Sequence, residues 1–279
     1  MLEAKTSSLH HNSKIIESCP FGYINLNYID IVKSLIFNFL LFSFLTTLSF
    51  SNHSKNQFIS SFSKAKDFLH DYVYFDNRKT LYCNANFNEL KVVDFPKGFL
   101  TNKYIKRAKR IEWEHAVPAE SFGKGFPEWI KGDPKCITKN GDLYKGRKCA
   151  NKINEEFRYM LSDMYNLFPA IGSVNALRSS YDFEILDNTI KSDFGSCDMR
   201  VDNKKVHPPE QAKGRIARAY IYMDHTYRKF EMSSRQRDLM TLWNKQYPVT
   251  TWECLRANRI KAIQGNDHVI YAKVCSKNL

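Results

Sequence analysis

Apolar positions along the chain fall into a few readable rhythms. In 57–74, Phe58, Phe62, Ala65, Phe68, Leu69, Tyr72 and Val73 recur at helical spacing and predict an amphipathic helix. Segments 80–87 and 91–95 are short, aromatic and β-branched, and read as strands. From Arg110 to His115 apolar and charged residues alternate, which predicts a strand that stops at the Pro118 break. Segment 121–150 is rich in Gly, Pro and Lys and reads as a long loop stapled by a Cys136–Cys149 disulfide. Helical rhythm returns at 152–165 with Phe157, Met160, Leu161 and Met164, and Pro169 lies beyond its end. A turn-rich stretch then runs to about residue 205. Three helices close the chain: one from Pro209 carrying Ile216, Ala219, Tyr220, Met223 and Tyr227, and one capped by Ser233 carrying Leu239, Leu242 and Trp243. The third opens on the capping-box pair Thr250 and Glu253 and ends at Gly265. Few strands, many helices and no strand–helix alternation predict an α+β fold in one domain without internal repeats.

Residues 35–48 break these rhythms. They are apolar apart from Asn38, Ser43, Thr46 and Thr47, follow Lys33, and precede a small, polar stretch. A run this short matches the 7–15 residues of a signal-peptide core better than the roughly 20 of a membrane span. An uncleaved anchor and a buried core helix are the alternatives. The expected organisation is a leader over 1–51 and a catalytic domain over 52–279, exported and without stable membrane association once the leader is removed.

Composition sharpens that division. The 279 residues carry 42 Lys+Arg against 29 Asp+Glu, a net charge of +13, with 14% aromatic residues, which excludes wholesale disorder. Lys5, Lys14 and Lys33 balance Glu3, Glu17 and Asp30 in the leader, so the whole excess belongs to the mature chain. Of seven cysteines, Cys19 lies in the leader. The remaining Cys83, Cys136, Cys149, Cys197, Cys254 and Cys275 suit three disulfides in an oxidising compartment, with 15 possible pairings for six cysteines. A basic exported chain points to a polyanionic partner, with binding that weakens as salt rises.

The candidate chemistry concentrates in the strand from Arg110 to His115. Alternation puts Glu112 and Glu114 on one face and Trp113 and His115 on the other. At the strand end, where the backbone bends, Glu114 and His115 can reach a common site. A carboxylate offers a hard oxygen ligand for a divalent ion, and an imidazole offers a base that titrates near neutrality. The plain alternative is an edge strand with solvated glutamates and a hydrogen-bonded histidine. His207, His225 and His268 fall outside any ligand-like spacing and read as surface or packing residues, and the chain has no H-E-x-x-H zinc motif.

Over roughly residues 64–275 the sequence resembles the bacterial endonuclease I family of secreted, non-specific nucleases, of the ββα-metal (His-Me finger) class. The resemblance runs through TLYC (80–83), RIEWEHAVPAESFG (110–123), Asp163 with NLFPAIGSVNALRS (166–179), GRIARAYIYM (214–223), LWNKQYPV (242–249), WECLR (252–256), Arg259-Ile260 and IQGN (263–266). It implies a ββα-metal core within a mostly helical domain. It makes His115 the general base and Glu114 and Asn175 the ligands of one Mg²⁺ ion, for which Ca²⁺ or Mn²⁺ could substitute. Arg147 matches a residue that stabilises phosphate or product, with a solvated loop arginine as the alternative. Arg178 stands where it would contact a phosphate or form a structural ion pair. Arg215 and Arg218 lie three apart on one helical face and are candidates for nucleic-acid contact mixed with packing. The implied activity is hydrolysis of DNA, with RNA as a further substrate, by a monomer with little sequence specificity, giving 5′-phosphate products.

Departures from the family pattern bear on detail. A cysteine two residues after Cys83, and its partner before the Arg110–His115 strand, are both missing, and their joint absence implies the pairings Cys136–Cys149, Cys197–Cys254 and Cys83–Cys275. Leu161 stands where relatives often carry Glu, Ser180 replaces the usual Asn, and the tail after Asn266 lacks the common N-P-F, so substrate positioning is expected to differ. The rival functions are a secreted nucleic-acid-binding protein without activity and a zinc hydrolase.

Overall fold

The computed structural model describes residues 55–276, and the expected leader lies outside them. Ser61 accepts a hydrogen bond from the Lys64 amide and starts helix α1 (Phe62–Phe68), which continues as one π-helical turn, Leu69–Val73. The 57–74 prediction therefore holds in part. Phe58 precedes the helix, and the i→i+5 turn shifts the register so that Tyr72 is exposed while Leu69 and Val73 are buried.

The expected strand over 80–87 shrinks to β1 (Asn86–Phe87), which pairs with β2 (Val93–Asp94). Thr80 closes the preceding turn instead: its amide donates to the Ala85 carbonyl and its hydroxyl accepts from the Ala85 amide. A short helix, α2 (Ile105–Ala108), leads into β3 (Ile111–His115). Segment 121–150 is not one open loop, because α3 (Ala119–Gly123) runs into it and it holds α4 (Pro127–Ile130) and the start of α5 (Arg147–Ile153). Next come α6 (Glu155–Leu161) and a 3₁₀ turn, Met164–Asn166.

The main omission from the sequence reading is β4 (Leu167–Ile171), which pairs antiparallel with β3 in the register Trp113 opposite Pro169 and His115 opposite Leu167. Pro169 makes an apolar run look unlike a strand. It is tolerated because a two-stranded sheet has two edges, and its carbonyl takes the Leu81 amide at 2.7 Å. Helix α7 (Gly172–Arg178) follows β4 at once. Gly172 is required at the junction, since a Cβ there would stand 2.3 Å from the Arg107 carbonyl oxygen. The turn-rich stretch then forms β5 (Asp182–Phe183), β6 (Arg200–Asp202) and β7 (Lys205–His207), ordered β5-β7-β6.

The closing helices match their sequence signals: α8 (Glu210–Thr226) after Pro209, α9 (Ser234–Gln246) capped by Ser233, and α10 (Thr251–Gln264) with its Thr250/Glu253 capping box. Gly265 ends α10 at φ +79°, the left-handed region that favours glycine. A fourth helix, α11 (Val269–Cys275), is capped by His268. None of the described helices is long and apolar enough to cross a membrane. Mixed helix and small sheets bear out the α+β class.

The disulfides are Cys83–Cys197, Cys136–Cys149 and Cys254–Cys275. The Cys136–Cys149 bridge is as expected, and the Cys83–Cys275 and Cys197–Cys254 pairings are corrected. An even count fixes the number of bridges but not the partners. Cys254 in the first turn of α10 meets Cys275 at the end of its packed neighbour α11, while the turn before β1 lies against the turn at Cys197.

Buried histidines set the acid limit of the fold. His268 donates from Nε2 to the Arg218 carbonyl, accepts the Ile270 amide at Nδ1 and stacks on Tyr222. Burial pushes it down to about 3, and burial with the Lys213 and Arg200 charges pushes His207 down to about 4. Both are neutral in the fold and gain protons near pH 6.5 once unfolded. The unfolded chain then binds more protons, so stability is full above about pH 6.5 and declines as pH falls towards those folded values. Each histidine contributes a slope that rises from near zero at pH 7 towards about 1.4 kcal/mol per pH unit at pH 5. Denaturant midpoints between pH 7 and 5 should record this decline, and His268→Asn, which keeps a capping acceptor, should flatten it; an unchanged slope would refute the assignment.

Candidate active site

Strand β3, held by β4, and helix α7 deliver Glu114, His115 and Asn175 to one cleft of about 390 Å³, which Arg107 and Arg147 also line. Strand alternation alone would separate Glu114 from His115. They share the cleft because β3 ends at His115, where its ladder with β4 also ends.

His115 is buried, and its Nε2 lies 2.8 Å from the Leu161 carbonyl. A carbonyl only accepts, so Nε2 carries the proton and Nδ1 the free lone pair. The Phe62 ring packs against the imidazole, tilted by 30° with the centroids 5.0 Å apart. Burial, helped by the Arg147 charge, pushes the imidazole down to about 3, so it is unprotonated at neutral pH. At Leu161 the contact to His115 comes from the backbone carbonyl, which any residue supplies.

Glu114 is buried as well. Its Oε1 accepts the Tyr82 hydroxyl at 2.7 Å and pairs with Arg178 Nη1 at 3.0 Å, which leaves Oε2 without a hydrogen bond among the described residues. Burial pushes this carboxyl up, and the Arg178 charge and Tyr82 hydroxyl oppose it. Asn175 donates from Nδ2 to Glu112 Oε2 at 2.8 Å, which fixes its carboxamide and leaves Oδ1 as an unused acceptor. Glu112 is itself held by Arg107, whose Nε lies 2.7 Å from Oε1. Two spare oxygens of a carboxylate and a carboxamide in one polar cleft are the donors that a hard, octahedral cation takes, with water completing its shell. The residues present fit such an ion. No three His, Cys, Asp or Glu side chains converge among the described residues, so the zinc-hydrolase reading has no ligand set.

Of the four arginines expected at the site, only Arg147 remains open to the cleft, with its guanidinium 5.4 Å from the Phe62 ring centre. Arg178 is buried, and its Nη1 and Nη2 also donate to the His115 and Ala116 carbonyls, so the ion-pair alternative stands in place of the phosphate contact. For Arg218 only the packing half of the mixed role stands: it is buried and pairs with Glu253, and the nucleic-acid contact is dropped. Arg215 likewise spends its Nη2 on the Leu81 and Gln211 carbonyls. With Gln211, which donates to the Tyr82 carbonyl, it holds the turn that presents Tyr82 to Glu114. The altered tail is also internal: Gln264 and Asn266 bond to each other, Gln264 reaches the buried Asp163, and Asn266 donates to Tyr222.

Two positioning residues escaped the sequence reading. Glu112 was placed on the face of Glu114 without a role, and Tyr82 lay unremarked within the TLYC block. Nothing local marks either one, because their partners come from α7 and β3, 63 and 32 residues away.

Comparison with known proteins shows the family. The family model described as Endonuclease I matches residues 52–269. The chain is 35% identical to Endonuclease-1 of Buchnera aphidicola subsp. Baizongia pistaciae, over 87% of this chain and 96% of that protein. It is 39% identical to the extracellular deoxyribonuclease of Aeromonas hydrophila over 80% and 92% of the two chains. With the periplasmic deoxyribonuclease of the same organism it shares 40% identity over 73% and 82%. A match over most of its length, on a chain whose cleft gathers Glu114, His115 and Asn175, shows that this protein is an endonuclease of the Endonuclease I family.

Proposed function

We propose that the protein is an exported, divalent-metal-dependent endonuclease that hydrolyses phosphodiester bonds of DNA, and of RNA, with little sequence specificity. What carries this reading is the cleft in which a histidine with a free Nδ1 stands beside two unused ligand oxygens. The names of relatives support DNA as substrate and the periplasm or the medium as location. We take β3, β4 and α7 as the ββα-metal core.

In the mechanism we infer, Nδ1 of His115 takes a proton from water as its oxygen attacks the phosphorus. The bond from phosphorus to the 3′ oxygen breaks, that oxygen leaves and takes a proton from solvent, and the product keeps a 5′-phosphate. The neutral ring is ready for this role, and the negative phosphate raises its basicity against the opposing effect of Arg147. Glu114 Oε2 and Asn175 Oδ1 would hold Mg²⁺. Such an ion neutralises charge on the scissile phosphate and the departing oxygen. Arg147 offers a planar fork to a phosphate oxygen pair.

Plasmid nicking by the oxidised protein tests the proposal: activity should vanish in EDTA and return with Mg²⁺. Glu112→Ala, which frees the Asn175 carboxamide, should raise the Mg²⁺ needed for half-maximal nicking by about 10–100-fold. Cleavage that persists in excess chelator would overturn the metal assignment, and binding without any cleavage would favour the inactive nucleic-acid-binding protein.

A further inference from the structure

The stapled loop beside the cleft is a built hairpin rather than loose chain. Ile137 and Leu143 pair across it, the Thr138 amide donates to the Asp142 carbonyl, and the Tyr144 amide donates to the Cys136 carbonyl. The Thr138 hydroxyl accepts the Asn140 and Asp142 amides, and Gly141 turns the tip at φ +88°. The Cys136–Cys149 bridge locks one side to α5, and the Gly146 amide donates to the Trp129 carbonyl at the base. That base belongs to the active site, since Trp129 and Arg147 both line the cleft.

The hairpin is loaded with unneutralised charge. Lys131, Lys135, Lys139, Lys145 and Lys148 are exposed, and none forms an ion pair among the described residues. The only acids between them are Asp133 and Asp142, and Asp133 accepts the Lys135 amide. Self-repulsion among cations on a short, rigid arm costs free energy that a polyanion would relieve. A pre-formed arm also loses little entropy on binding.

We propose that this hairpin is a clamp for the nucleic-acid backbone beyond the scissile phosphate, in which its lysines contact phosphates that do not react. The assignment rests on the nuclease reading of the cleft. It makes the hairpin a determinant of substrate length: long polynucleotides reach the arm, and a minimal phosphodiester does not.

The test replaces Lys135, Lys139 and Lys145 together with glutamine, beside a control with glutamine at Lys204, Lys245 and Lys273, which are exposed on elements that do not line the cleft. Binding of a duplex in EDTA is measured against salt. The loop variant should lose about 2–3 from the slope of log affinity against log salt, near 0.9 for each phosphate contact removed. Its turnover of thymidine 5′-(4-nitrophenyl phosphate) with Mg²⁺ should equal that of the unaltered protein. A wild-type slope in the loop variant, or an equal loss in the control, would overturn the clamp while EDTA-sensitive nicking leaves the nuclease reading intact. Steep, hairpin-dependent binding by a protein that cuts nothing would do the reverse.

Discussion

His115→Ala is expected to lower plasmid nicking by about 10²–10⁴-fold, the range a general base contributes, while duplex affinity in EDTA stays within about twofold. The imidazole is bonded through Nε2 to a backbone carbonyl, so what it offers substrate is the Nδ1 lone pair, and alanine offers none. The charge the cleft shows to DNA barely changes, because burial and Arg147 keep the histidine neutral near pH 7. Phe62 loses its ring contact, so the melting temperature of the variant should be measured alongside, to separate a missing base from a missing fold. Nicking that survives in a folded His115→Ala protein would remove His115 from the mechanism. The binding-only reading makes the opposite forecast, since it assigns the imidazole no chemical task.

What the sequence disclosed follows from how far each signal must reach. Caps and amphipathic faces are local, and three of the four helices after residue 209 were legible from Pro209, Ser233, Thr250, Glu253 and Gly265, which act within four positions of themselves. Strand β4 was hidden because Pro169 speaks against a strand unless the sheet has an open edge, and an edge is a property of the fold. Glu114 and His115 stood out as a carboxylate beside an imidazole and Asn175 through a family motif, and the structure places all three on one cleft. The arginines stayed open between two tasks for a definite reason: charge pattern says that a guanidinium is present, whereas its partner decides its task. Arg178 meets Glu114 across 64 residues of chain and Arg218 meets Glu253 across 35, and neither spacing leaves a mark in sequence. Two of the three bridges failed likewise, because the Cys254–Cys275 pairing depends on α11, a helix that the sequence reading did not separate from its neighbour, whereas the local Cys136–Cys149 staple was legible.

Arg218→Ala is expected to destabilise the fold by about 3–5 kcal/mol, the cost of leaving one member of a buried ion pair alone. Arg218 Nε lies 2.8 Å and Nη2 2.7 Å from Glu253 Oε1, and both side chains are about 2% exposed. Nη1 donates to the Asn244 side chain and to the Tyr247 carbonyl at the end of α9. Glu253 in turn caps α10 through Thr250 and accepts the Tyr271 hydroxyl from α11. One guanidinium thus joins the middle of α8 to the ends of two helices and the side of a third. Removing it strands a carboxylate that two hydroxyls and an amide cannot neutralise, and opens a space beside Gly214, whose missing Cβ would stand 2.7 Å from the same guanidinium. For a domain of this size the loss corresponds to a fall in melting temperature of roughly 6–20 °C. Replacing both partners, Arg218→Met with Glu253→Gln, should recover part of the loss, because no buried charge is then left unpaired. Below its melting point the single variant should bind duplex with an unchanged salt slope. A phosphate-contacting arginine would give the contrary pair of results, a slope smaller by about 1 with little change in melting temperature, and that outcome would return Arg218 to the nucleic-acid interface.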